Sequence, residues 1–364
     1  MKRSLLIFLV LALSLCGTAM ATDVISAQAD ALDLRGLELA AEDAGVGLAL
    51  TPNINFDEGL QTILDTGSGE IFGIVRKALR SGTLLLVIVL LCGLADGMHE
   101  GLGGGSLDVV ALAGALAVTA VAVSDVNSLI GLGRKALDNM ELFSKVLLPT
   151  VTAAAAAGGS PGGAVARQLA TMLFTDVLMT LISRLLLPLV YAYIAASTAY
   201  AALGNEGLKR IGGMLKWLVT SILTAVLLVF VSYLTVTGVV AGTADAVTIK
   251  AAKFTVSSVV PVVGGILADA AETVLAGAGI LRNAVGVFGM LTVLGICLAP
   301  FLQLGIHYIT YKIASALTAT VSAGRVSGLI DSIGGAFGLV LGMTGASALL
   351  LLICLVSAIS VVTL

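Results

Sequence analysis

Charge is what this sequence has least of. Of 364 residues, 11 % are Asp, Glu, Lys or Arg, against roughly 25 % in soluble globular proteins. With 58 % hydrophobic residues and a mean hydropathy of +1.10, that scarcity excludes a soluble domain and points to an integral membrane protein with several spans. The net charge of -3 leaves no basic excess, so nucleic acid is not an expected partner. No Gly-Lys dipeptide occurs, which removes the phosphate-cradling loop of P-loop ATPases. The Gly-x-Gly-Asp signature of intramembrane aspartyl proteases is absent as well. Of the four cysteines, Cys16 lies near the N-terminus and Cys92, Cys297 and Cys354 stand singly in apolar runs. They form neither a disulfide framework nor a zinc site. His99 and His307 are far apart and outside any HExxH pattern, and are assigned structural or interfacial roles. No metal, cofactor or catalytic residue is expected, and the chain is read as a non-enzyme.

Proline is scarce at 6 residues and glycine plentiful at 43, a composition suited to helices packed closely through small residues. The apolar runs are continuous and longer than the alternating segments of about ten residues in a membrane β-barrel. The fold class is therefore all-α, a polytopic helical membrane protein.

Met1 to Ala21 reads as a cleaved secretory signal, with Lys2 and Arg3, an apolar run from Leu5 to Leu15, and Ala19-Met20-Ala21 as the small-x-small site. Residues 22–82 form an extracytoplasmic leader. Thr22 to Asn55 shows little pattern and is expected to be loosely ordered, whereas Phe56 to Ser81 has helical apolar spacing. Asp57, Glu58 and Asp65 come early in that stretch and Arg76, Lys77 and Arg80 late, as a helix dipole favours, which suggests an amphipathic helix at the membrane surface. Residues 83–364 form the multi-span domain, with apolar runs at about 83–95, 107–123, 145–157, 169–203, 214–242, 285–316 and 336–364. The run containing Arg184 and Pro188 fits one kinked helix or two short ones. Arg134–Lys145 and Lys209–Lys216 read as basic loops.

Two glycine motifs carry no chemistry. Gly158-Gly159-Ser160-Pro161-Gly162 matches the serine-hydrolase elbow in letters only, since an alanine run precedes it where a strand is required. Gly131-Leu132-Gly133-Arg134-Lys135-Ala136 lacks the βαβ setting of a dinucleotide site. Both read as loops. Gly334, Gly338, Gly342 and Ala346, each four apart, form one smooth helix stripe that admits a neighbouring backbone, more readily within the chain than from a partner.

Charge concentrates in residues 243–289. Lys250 and Lys253 are three apart, as are Asp269 and Glu272, so each pair projects from one helix face; Arg282 and Asn283 follow. Between the pairs, Pro261, Gly264 and Gly265 favour a break, giving a broken-helix or re-entrant hairpin. Such a break is tolerated in a bilayer where its freed backbone groups are buried in protein or line a wet cavity. The bland alternative is an interfacial loop.

Residues 252–289 carry a resemblance. Ala252-Lys253-Phe254, Val260-Pro261-Val262-Val263-Gly264-Gly265, Asp269-Ala270-Ala271-Glu272-Thr273-Val274 and Asn283-Ala284-Val285-Gly286 resemble the signature of the stage III sporulation protein AE family of endospore-forming bacteria. Looser similarity runs from Leu148-Pro149 through Leu187-Pro188 and Pro300 to the C-terminus. The resemblance implies a multi-pass, permease-like protein of the mother-cell membrane facing the forespore. It would be a membrane core component of a channel complex, sometimes called a feeding tube, needed for sporulation after engulfment. Implied partners are products of the same operon, namely ring-forming membrane proteins and a cytoplasmic ATPase, together with a forespore-made membrane partner. The residues alone also fit a stand-alone secondary transporter for ions or small metabolites, because transporters build their sites from broken helices with charged flanks.

Overall fold

A computed structural model of the chain describes residues 28–52, 54–100, 109–157, 173–259, 264–320 and 324–360, with the side chains of 66, 68, 70, 96–100, 155, 234–259, 264–278, 354 and 357–360 outside that description. The proposed signal at 1–21, Pro261 and the 158–162 motif also lie outside it. Among the described residues there is no strand. The chain forms α1 (Leu34–Asp43), α2 (Phe56–Glu100), α3 (Val109–Ala157), α4 (Leu173–Leu203), α5 (Glu206–Val259), α6 (Gly264–Thr318) and α7 (Gly324–Ser360). The expected all-α membrane fold is what is seen. Six of these helices, α2 to α7, are long and apolar enough to cross a membrane.

Several sequence expectations are corrected. Arg134–Lys145 is no loop, and neither is Gly131–Ala136: both lie inside α3, which joins two of the apolar runs into one 49-residue helix. The charges of this stretch point outward while Leu137, Met140, Phe143 and Leu147 are buried, so a helical period carries the chain through a polar-looking segment. Lys209–Lys216 likewise falls within α5. The amphipathic stretch and the first short run are one 45-residue helix, α2.

The leader is also more ordered than expected. Asp33 adopts a left-handed conformation (φ 50°) and its carboxylate accepts from the Gly36 amide at 3.3 Å, capping α1. Leu37 and Ala41 are fully buried, the leucine contributing about 2 kcal/mol by the area it removes from water. Beyond α1, the Leu50 amide donates to Glu38 Oε1 at 2.6 Å and Asn139 Nδ2 donates to the Ala44 carbonyl at 3.2 Å. The first bond folds the leader on itself and the second ties it to α3.

Of the 169–203 run, the described residues Leu173–Leu203 form a single helix with a widened turn. Pro188 has no amide hydrogen to give to the carbonyl four residues back. Residues Ile182–Leu186 take a π-helical turn in which the Leu187 amide donates to the Ile182 carbonyl, five residues earlier.

Glycine contacts set the directions of the helices. Gly67 of α2 faces Leu298 and Gly82 faces Thr310, so α2 and α6 run parallel. Gly133 meets Leu304 and Gly289 meets Leu147, so α3 and α6 are antiparallel. Gly334 and Gly345 of α7 face Tyr311 and Phe301, making α6 and α7 antiparallel too. The most extensive helix–helix contact is that of α6 with α7, while α5 packs chiefly on α4 and touches α6 and α7 lightly.

Candidate functional site

Two belts of basic residues bracket the bundle, all exposed except the half-buried Arg325. Lys77 of α2, Arg134 of α3 and Arg184 of α4 are exposed. Lys77 shares a hollow of about 370 Å³ with Gln303 and His307 of α6, and Gly133, beside Arg134, approaches Leu304 and Thr344. The other belt is Lys209 and Arg210 of α5 with Arg325 of α7, whose guanidinium lies against Gly204. Along α7, Arg325 to Thr344 is roughly 29 Å at 1.5 Å per residue, matching a hydrocarbon core of about 30 Å. Gly334 and Gly335 therefore mark the midplane.

At that level the bundle holds a layer of polar and ionisable side chains. Tyr311 donates to Asp125 Oδ2 at 2.9 Å, with Asp125 4 % exposed and Tyr311 fully buried. The alignment follows from α6, where Tyr311 lies against Gly334. One turn earlier, His307 sits with its Nδ1 2.8 Å from the Gln303 carbonyl, which accepts; Nδ1 thus carries hydrogen and Nε2 is left as the acceptor. Nε2 is buried without a partner among the described residues. The rings of His307 and Tyr311 both stand edge-on to Phe337, at 6.4 and 5.1 Å.

A second group adjoins it. Lys312 Nζ bonds Asp331 Oδ1 at 2.6 Å, and the Lys312 ammonium lies 5.9 Å from the Tyr308 ring centre. Tyr193 and Lys216 both reach Gly335, where a Cβ would lie 3.3 Å from the tyrosine hydroxyl and 3.8 Å from Nζ. Ionisable groups at membrane depth are costly and are usually retained for a task. This layer is the candidate site.

The residues singled out by sequence fall elsewhere. Lys250 and Lys253 lie on the backbone of α5, Asp269 and Glu272 on that of α6, with side chains outside the described residues. Gly264 and Gly265 open α6. Arg282 is buried and Asn283 exposed on α6. In the glycine stripe, Gly334 and Gly338 face Tyr311 and Tyr308 within the chain, Gly342 has Leu223 at 3.9 Å, and Ala346 is buried. The apolar runs of the sequence do not single out Asp125, Tyr311, Lys312 or Asp331, and Lys216 enters only as the end of the stretch Lys209–Lys216. Among the described residues, no group of His, Cys, Asp and Glu has the arrangement of a metal site.

A helical bundle with, among the described residues, six helices long and apolar enough to cross a membrane and an ionisable layer at mid-depth defines a multi-pass membrane protein. The family model for stage III sporulation protein AE matches residues 52–362, a stretch that contains all six crossing segments, and the chain belongs to that family. The stage III sporulation protein AE of Bacillus subtilis (strain 168) is 24 % identical over 213 residues, 58 % of this chain and 53 % of that protein. The aligned segment thus spans about half the length of that relative. No solved structure matches.

Proposed function

We propose that this sporulation protein is a non-enzymatic membrane core component of a channel complex between mother cell and forespore, acting after engulfment. The observation that carries the reading is the family match, which runs across every crossing segment. The layer around Asp125, Tyr311, Lys312 and Asp331 supports a conducting role, since charges held at mid-depth are the hallmark of ion and solute pathways. The protein would reside in the mother-cell membrane facing the forespore, with the ring-forming products of its operon, their ATPase and a forespore-made protein as partners. The leader α1 and the far end of α3 lie beyond the belt of Lys77, Arg134 and Arg184. In this reading that end of the bundle faces the space between the two membranes, and the charged segment around Pro261 is a contact for partners there.

The test is affinity isolation of the tagged protein in mild detergent from sporulating cells just after engulfment. Ring proteins and ATPase are expected in fixed ratio to the bait. Recovery of the protein alone, under conditions that preserve a control membrane complex, would overturn the proposal.

A further inference from the structure

The ion pair at mid-depth is not enclosed. The side chain of Lys312 is 32 % exposed and that of Asp331 48 %, and Lys216 beside them is exposed too. No carboxylate among the described residues lies within ion-pair distance of Lys216, so these three described side chains together carry one positive charge in excess. Lys216 is roughly 9–10 Å along α5 from the belt residues Arg210 and Lys209 at 1.5 Å per residue. Its Nζ lies 3.8 Å from the site of a Cβ on Gly335, at mid-depth, rather than turned toward that belt. A lysine and a half-exposed aspartate turned to acyl chains at this depth would each cost several kcal/mol. The helix that carries Lys216 is also the least enclosed of the six: 11 % of its most apolar stretch is buried, against 61 % for α6.

We infer that the face formed by Lys216, Lys312 and Asp331 lines a water-filled passage that admits small hydrated anions. Water restores the solvation that lipid would deny to the three charges. The excess ammonium concentrates anions by its field, which low-dielectric walls focus. Gly335 keeps the floor of the passage open, since a side chain there would meet both the Tyr193 hydroxyl and Lys216 Nζ. This inference rests on the conducting role proposed above and names the charge class that the passage favours.

Cysteine accessibility tests it on the protein as isolated with its partners and placed in lipid nanodiscs, which leave both sides open to reagent. Reagents of the methanethiosulfonate type are attacked by the thiolate, which forms the mixed disulfide with release of methanesulfinate, and the thiolate forms in water and not among acyl chains. A cysteine at Lys216 (Lys216→Cys) is expected to react nearly as fast as one in the α4–α5 connection (Asn205→Cys). A cysteine at Met214 (Met214→Cys), two residues away and 57 % exposed on the other side of α5, is expected to be inert. An anionic reagent should outpace a cationic one at Ser332→Cys, half-exposed next to Asp331, by about tenfold, the scale on which focused fields raise local concentration. Adding Lys216→Glu should invert that preference. Inertness of Lys216→Cys equal to that of Met214→Cys would overturn the passage, and equal rates for the two reagents would overturn its anion preference. Co-isolated partners report separately on the channel complex, so the two readings fail independently.

Discussion

Tyr311 and Asp125, 186 residues apart in sequence, meet across the α3–α6 seam through a 2.9 Å hydrogen bond buried at the midplane. The carboxylate has several lone pairs and this phenol as its one hydrogen-bond donor among the described residues. The pair is therefore asymmetric in what each partner loses.

Tyr311→Phe is expected to destabilise the purified protein by about 1–3 kcal/mol, because it strands a buried acceptor. Combining it with Asp125→Leu should recover much of that loss, since both polar groups are then gone. Thermal unfolding in detergent, followed by loss of the monodisperse peak, measures both. A double variant less stable than Tyr311→Phe would show that the carboxylate holds something besides the tyrosine.

The glycine stripe of α7 is predicted to act within the chain. Gly338→Leu places a side chain where a Cβ already meets Tyr308 at 3.0 Å, and should part α6 from α7 and abolish recovery of folded protein. Gly342→Ala, with its nearest neighbour at 3.9 Å, should be tolerated. On α3, Gly131 has open space around it, so Gly131→Ala is expected to stabilise by about 0.5–1 kcal/mol through helix propensity. Gly133→Ala would not, since Val340 lies 2.5 Å from the site of its Cβ. Intact folding of Gly338→Leu would refute the intramolecular contact.

The leader gives a local test. Glu38→Ala removes the acceptor of the Leu50 amide, at a cost of about 1–3 kcal/mol in so far as that amide is shielded from water. Limited proteolysis should then cut at Arg35 faster than in the parent protein, with the membrane bundle intact. An unchanged cleavage rate would mean that this bond does not hold the leader down.

Charge reversal in the segment named by sequence, Asp269→Lys or Glu272→Lys, is expected to block spore formation after engulfment. Spore yields at the parental level from both variants would remove these carboxylates from the proposed machinery.

The class of fold was legible from hydropathy alone, because a hydrocarbon core imposes long apolar helices whatever their packing. The extent of α3 was not. Charges at Arg134, Lys135, Asp138 and Lys145 suggested a loop, yet Leu137, Met140, Phe143 and Leu147 keep a buried face beneath them. A search for helical period would have found it where a search for apolar runs did not. The midplane layer was half visible. Asp125 and Asp331 stand alone among apolar neighbours, but sequence holds no sign that Asp125 meets Tyr311 while Asp331 meets Lys312. Those pairings are set by the register of α6 against α3 and α7, which depends on glycines such as Gly133 and Gly334 admitting a neighbour closely. Local spacing marks instead the densest cluster of charge, around Pro261.

The widened turn at Ile182–Leu186 works as a rotational offset in α4. A straight helix advances each residue by about 100°, and the π turn takes up one residue more than an α-helical turn would. The half of α4 holding Thr175 and Asp176, which borders α3 beside Glu141 and Lys145, is thereby turned relative to the half holding Tyr193. Removing one residue from 182–186 would leave the length of the span nearly unchanged. Because the π turn already absorbs that residue, the turn would close as an α-helical one with Thr175 and Asp176 still facing α3, whereas deleting a residue elsewhere in α4 would swing one half by about a quarter turn and rewire one face of the protein while its hydropathy profile stayed the same.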